Sequence, residues 1–399
     1  MQNLIRYHIT NSKRLKSFLK FILFLIKTVL FYLPINGINK SKEVMLVKSI
    51  KGFTGYYDKN IINPKSNAIV FHRLEGKICN ILVANLDSFE EKLIGSTTAW
   101  NYQQGAMAEF IDNDRLIYNK FAGNTLSACI INLKTGQTIE QNNFPVQAIL
   151  PGQEAYVSLN FNRLNNLRPD YGYNKFSDWH ETLSIGQDGL WRVNYSGESK
   201  LFISLKQLHD LNNLDYDILS KINHVMSTKC GVKILFMFRY FIGASKISVL
   251  YTYDFHKHRL KKIRSGVVSH YCWLNESKYA VWFRDRTGGQ LAIYDCMDNN
   301  KQLAVVRIAD GHPVAVEKGG LWYDSYPDIL NKVHLRYFSD DLKKTSSQFS
   351  VISKPQKSVE NRCDAHPKVS GNYLVIDRYE NNNRDFGIYK INRITGEEN

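Results

Sequence analysis

The 399-residue chain carries 52 Lys/Arg against 37 Asp/Glu, a formal charge of +15, and is 44% hydrophobic and 13% aromatic. That composition fits a packed β protein rich in Tyr and Phe. Its six cysteines (Cys79, Cys129, Cys230, Cys272, Cys296, Cys363) show no CxxC spacing, which excludes a zinc ribbon and speaks for reduced, mostly buried thiols rather than a disulfide framework.

The charge is unevenly placed. Residues 1–50 hold nine Lys/Arg against Glu43 alone, which leaves +7 of the total for the remainder. No run of basic residues interleaved with aromatics follows, so nucleic acid is not an expected partner. A moderate positive field suits an anionic ligand instead.

Residues 1–43 form an extension whose segment 12–35 reads SKRLKSFLKFILFLIKTVLFYLPI. Lys13, Lys16, Lys20 and Lys27 recur at helical spacing on one stripe of an otherwise apolar helix, and Pro34 ends it. A basic amphipathic helix of this kind lies in an anionic membrane interface. A spanning helix would bury Lys20 and Lys27, at a cost of about 2.5 kcal/mol or more for a charge near the bilayer centre. The expected location is the cytoplasmic side of the membrane, held peripherally. The alternatives are a signal anchor with an exported propeller, and a helix docked on the following domain or on a partner.

Residues 44–399 are read as one domain. Within it a two-strand pattern recurs seven times. The first strand starts near Asn67, Arg115, Ala155, Lys233, Lys278, Gly320 and Asn372, and the second near Lys77, Leu126, Asp188, Lys246, Gln290, Lys332 and Phe386. Successive second strands are 42 to 62 residues apart. Short strands repeating roughly every 40–50 residues predict an all-β fold, a seven-bladed β-propeller of four-stranded blades.

Such a ring brings equivalent positions of successive blades together at the mouth of its channel. Counting back eight to ten residues from the apolar triplet of the blade's second strand reaches His224, His270, His312 and His366 in four consecutive repeats. Gln147 occupies that register in the third repeat, and Gln103 and Gln104 lie slightly earlier in the second. Imidazoles beside an amide oxygen suit Mn²⁺, Fe²⁺ or Zn²⁺, or acid–base work near neutral pH. The returning strand ends add Arg239, Arg284, Arg378, Asp324, Tyr326 and Asp328, and the long third loop adds Arg163, Arg168, Tyr171 and Tyr173. Arginine and tyrosine around a channel mouth suit carboxylates and sugar rings. Asp364, two residues before His366, is placed to orient it.

The elements WNYQQG, SLNF, RPDYGY, SH, GHP, YPD and RCDAHP on this repeat resemble the oligogalacturonate lyase-like, TolB-like propellers, including members associated with surface-polysaccharide genes. The resemblance covers about residues 66–395. It implies a seven-bladed propeller, a divalent metal (Mn²⁺ favoured) held by histidines with a glutamine, and β-elimination on a uronate oligosaccharide. Carried over, the metal set is His270, His312 and His366, completed by Gln104 or His224. Unlike the lyases, this chain spreads its histidines one per blade and has no QxxHxH cluster. In the implied mechanism the metal binds the uronate carboxylate, Arg239 or Arg168 assists, and His224 or Tyr326 takes the proton. The competing expectation is a glycan-binding or accessory propeller of surface-polysaccharide biosynthesis that does not cleave its ligand.

Overall fold

A computed structural model describes residues 13–32, 44–63, 65–173, 183–355, 362–380 and 383–391. The ends of the N-terminal extension, Pro34, and the stretch 174–182 of the long third loop lie outside the described residues.

Among the described residues, five four-stranded antiparallel sheets and one seven-stranded sheet account for the strands after the extension. The first blade comprises Ile62–Asn63, Ala68–Glu75, Ile78–Asn85 and Glu91–Thr97. The second comprises Glu109–Phe110, Arg115–Ala122, Thr125–Asn132 and Thr138–Asn142, and the third Ala148–Leu150, Ala155–Leu159, Gly189–Asn194 and Ser199–Ser204. The seven-stranded sheet runs from Ser220–Ser227 to Lys301–Arg307 around one 15-residue strand, Arg259–Trp273. That strand pairs with Ser245–Asp254 as far as Gly266 and with Lys278–Asp285 from Val267 onward. It is therefore the outer strand of one four-stranded unit and the inner strand of the next, and Gly266, at φ +120°, marks the change of partner. A further blade (Pro313–Ala315, Leu321–Tyr323, Lys332–Phe338, Thr345–Ile352) precedes the last one.

The last blade takes Lys368–Ser370, Tyr373–Glu380 and Asn383–Ile391 from the C-terminal end and Val44–Lys51 from the N-terminal end. Val44 pairs with Ile391 and Lys51 with Asp385, so the two ends of the domain share a sheet. This pairing covers an edge strand with the chain's own backbone.

The expected apolar runs fall on the second and third strands of each blade. They read as runs rather than alternations because both faces of these strands are covered by neighbouring blades. Ala68–Phe71 and all of Ala155–Leu159 are buried. The layers between blades are aromatic-rich, as where Phe71 of the first blade meets Phe386 of the last at 5.1 Å. Cys79, Cys129, Cys272 and Cys363 are buried free thiols, Cys296 is half-buried and Cys230 is exposed.

The centre of the ring is filled by the segment between Val44–Lys51 and the first blade. Thr54 bonds Asp377 of the last blade through its amide (2.9 Å) and hydroxyl (2.7 Å). The buried Lys368 ammonium donates to Thr54 Oγ1, to the Gly55 carbonyl and to the His366 carbonyl. The Tyr57 hydroxyl donates to the Tyr271 carbonyl and accepts the Tyr271 amide. Lys59 donates to Glu109 Oε1 (3.2 Å) in the second blade and to the Gln147 carbonyl (2.7 Å) in the third. His72 packs against the start of this segment. Its Nε2 accepts the Ala106 amide and its Nδ1 donates to the Phe53 carbonyl, and a Cβ on Gly105 would meet its ring at 2.4 Å.

Two outcomes follow from these buried polar contacts. Replacing Lys59 by Met strands the Asp58 and Glu109 carboxylates, so denaturant unfolding should show a loss of about 3–5 kcal/mol, partly recovered by adding Glu109→Gln. Burial pushes His72 down to about 3 from an unfolded value of 6.5. The unfolded chain thus takes up the proton first, and the stability contributed above 6.5 is lost as pH falls below it. His72→Gln should flatten the decline of Tm between pH 6.5 and 4, a slope of at most about 1.4 kcal/mol per pH unit for one group.

Candidate functional site

Backbone irregularities accompany three of the four central histidines, His224, His270 and His366. His224 sits at the register shift between Asn223 and Val225, with φ +54°. His270 lies in the shift between Val268 and Tyr271. His312 immediately precedes Pro313–Ala315, and His366, at φ +42°, stands two residues before Lys368–Ser370. A bulge or a left-handed residue turns a side chain out of the ladder, at a conformational cost.

The rings then meet. The His270 and His312 centroids are 4.1 Å apart, and those of His312 and His366 4.6 Å. Tyr56 lies edge-on to His366 (4.8 Å) and His224 (5.0 Å), and Tyr57 lies 5.0 Å from His312. His224 stacks on Tyr271 at 4.3 Å, and the Tyr271 hydroxyl donates to the His224 carbonyl.

Carboxylates decide which ring nitrogen is free. Asp324 accepts from the backbone N–H of His312 (2.6 Å) and from its Nδ1 (2.9 Å). Asp310 accepts from His270 Nδ1 at 2.9 Å. His312 Nε2 is consequently left buried with no hydrogen-bond partner, as are His224 Nε2 and both ring nitrogens of His366. Burial and neighbouring positive groups hold His224 and His366 well below the usual imidazole range, so both are neutral. Burial opposes protonation of His312 as well, yet Asp324 raises it overall.

His312, His366 and Asp364 each offer one ligand atom, and those atoms lie within 4.8 Å of one another. All three side chains are buried, and Arg362 Nε holds Asp364 Oδ2 at 2.7 Å. Two imidazoles with free nitrogens and one carboxylate fit a divalent transition metal. Of the other expected ligands, His270 adjoins His312. Gln104 places its backbone carbonyl against Gly55, the residue before Tyr56, and buries an unpaired amide oxygen.

Beside this group opens a cavity of about 320 Å³. Its lining brings His224, His270, Asp310 and Tyr326 together with the cations Arg168, Arg239, Lys246 and Arg284 and with Tyr56 and Tyr171. Arg168 is neutralised by Asp170 at 3.0 Å and lies over the Tyr171 ring. Arg239 is held by Ser248 Oγ at 3.2 Å. Among the described residues, no carboxylate forms an ion pair with Arg239 or Lys246. Burial and the neighbouring cations depress both, and Lys246 falls to about 8. Two uncompensated cations in a concave wall attract an anion.

Arg168, His224, Arg239, His270 and Tyr326 thus share the cavity, while His312 and His366 form its metal-competent neighbour. The reading of the repeats missed Tyr56, Tyr57 and Asp58, which lie outside the repeating pattern, and missed Asp310 and the side chain of Lys246. It gave Asp364 an orienting role only. The one available signal was the dense GYYDKN motif immediately before the first repeat.

No family model and no curated protein matches this chain. Among solved structures, an oligogalacturonate lyase in complex with manganese matches at a TM-score of 0.59 and 12% identity, covering 89% of this chain and 98% of its own. An oligogalacturonate lyase from Vibrio parahaemolyticus (TM-score 0.39, 9% identity, 87% and 93% covered) and TolB from Acinetobacter baumannii (0.39, 15%, 72% and 63%) are more distant. At this identity the first likeness shows a shared propeller fold and nothing further.

Calorimetric titration of the metal-free protein with Mn²⁺ tests the ligand set. His312→Ala and His366→Ala should each abolish stoichiometric binding. Asp324→Asn, which removes only the support behind His312, should weaken it by about 10–100-fold.

Proposed function

We propose that this seven-bladed propeller binds a uronate-containing oligosaccharide in the cavity and cleaves it by metal-assisted β-elimination. The observation that carries the reading is the adjacency of the His312–Asp364–His366 group to a cavity lined by the uncompensated Arg239 and Lys246. A divalent ion, manganese being the one in the similar lyase structure, would be held by His312, His366 and Asp364. When bound, it would supply charge neutralisation for the uronate carboxylate, so that the adjacent proton becomes acidic.

The chain's own groups have distinct tasks. Arg239 and Lys246 draw the carboxylates into the cavity, and Arg168, stiffened by Asp170, shapes its edge. His224 is neutral and suits the base that removes the proton alpha to the carboxylate. The electrons of that C–H bond form the new double bond, and the bond from the beta carbon to the leaving glycosidic oxygen breaks. Tyr326 lines the cavity while 36% exposed, and the ordinary range of a phenol already lies well above neutrality. It therefore keeps its proton at neutral pH and is the group to deliver one to the leaving oxygen.

A second reading is favoured by one observation: His312 and His366 are only 1% and 0% exposed. A closed set of ligands suits a structural ion better than a catalytic one. On this reading the propeller holds an acidic glycan without cleaving it, as an accessory of surface-polysaccharide biosynthesis.

Incubation of the Mn²⁺-loaded protein with oligouronates, followed by ultraviolet absorbance of the unsaturated product, separates the two. Elimination predicts product, a loss of about 10²–10⁴-fold in His224→Ala with metal content unchanged, and a raised KM in Arg239→Ala. Saturable binding with no product would leave the glycan-binding reading standing and end the lyase reading.

A further inference from the structure

The N-terminal helix Lys13–Tyr32 touches the propeller beside the cavity. Lys27 Nζ donates to the Pro327 carbonyl at 3.1 Å, and Asn331 Nδ2 donates to the Lys27 carbonyl at 2.8 Å. Asp328 of the same loop adds an opposite charge near Lys27. Tyr326, next in sequence to Pro327, lines the cavity. The helix therefore borders the cavity's rim.

Its outward face is apolar. Phe18, Phe21, Ile22, Leu25 and Val29 recur at helical spacing on one stripe and are 36–62% exposed. Leu19, Leu23 and Ile26 widen the exposed apolar face, while Lys20 and Lys27 fall on the side opposite the stripe, where Lys27 meets the propeller. At 1.5 Å per residue the exposed stripe is about 16 Å long. The helix contains Lys13, Arg14, Lys16, Lys20 and Lys27 and no acidic residue. No helix among the described residues is long and apolar enough to cross a membrane.

We infer that this helix lies in the surface of an anionic membrane with the Phe18–Val29 stripe inward, and holds the Tyr326 rim of the cavity at that surface. Charge decides the occupant. Five cations without an acid complement anionic headgroups, whereas a second copy of this chain would bring two such helices, each on a protein of charge +15, into repulsion. Lys20 is exposed off the apolar stripe, and Lys27 ties the opposite side of the helix to the propeller, which stays on the aqueous side. Taken with the proposed function, on which this last step rests, the acidic glycan is one displayed at a membrane surface.

The test is co-sedimentation of the full chain with vesicles of phosphatidylcholine alone and with added phosphatidylglycerol. The expected result is binding that requires the anionic lipid and falls about tenfold or more in F21D/L25D/V29D, with the propeller's melting unchanged. Hydrogen exchange in the presence of the anionic vesicles should slow across residues 17–31 and the 325–331 loop. Wild-type protein left in the supernatant would overturn the inference. So would undiminished binding of the triple variant, exchange protection confined to other segments, or a wild-type dimer that the triple variant dissociates. None of these readouts uses cleavage, so a lyase failure on soluble oligouronates leaves them intact.

Discussion

The packing of Thr54–Asn60 along the centre of the ring is the contact on which both the propeller and its site depend. Several inner strands are only two or three residues long, as at Ile62–Asn63, Glu109–Phe110 and Pro313–Ala315. Strands that short hold few ladder bonds, and a ring of them encloses a hollow. The segment fills that hollow with two tyrosines and ties blades together through Asp377, Tyr271, Glu109 and Gln147. Because it follows directly from Val44–Lys51, which pairs with Asn383–Ile391, closure of the ring and filling of its centre are the work of one continuous stretch.

That centre is a costly place for polar groups. Burial disfavours charge, and each ion brought inside needs a partner. Lys59 meets that demand with Glu109 and Asp58, yet Asp58 is still pushed up to about 6. The histidines meet it by staying neutral. For His312 burial is opposed by Asp324 against its Nδ1, with a net upward shift. The result is a group of buried ring nitrogens without hydrogen-bond partners beside a cavity lined by cations. Positive φ at His224 and His366 is strain retained where side chains must converge.

Much of the fold was legible because neighbouring blades bury both faces of the second and third strands. Runs such as AIVF and ILFMF therefore mark the repeat directly. Inner strands of two or three residues, such as Ile62–Asn63 and Pro313–Ala315, are shorter than any periodicity and were not legible. The histidine register was legible because equivalent positions in a ring converge wherever the blades lie in sequence. Tyr56, Tyr57 and Asp58 were not, since they belong to no repeat and act on distant partners; Tyr57 and Tyr271 are 214 residues apart. Asp364 could be placed next to His366 in sequence, but only its distance to His312 makes it a ligand.

The sequence by itself determined the repeat, the covered faces of the strands, the convergence of four imidazoles and the excess of basic residues before the propeller, because each is periodic or local. Tertiary structure alone decided which imidazole nitrogens are free, which cations lack a carboxylate, and which side of the N-terminal helix meets the rim. Those are properties of pairs of groups brought together across the closed ring, and pairing at that range leaves no periodic trace in the chain.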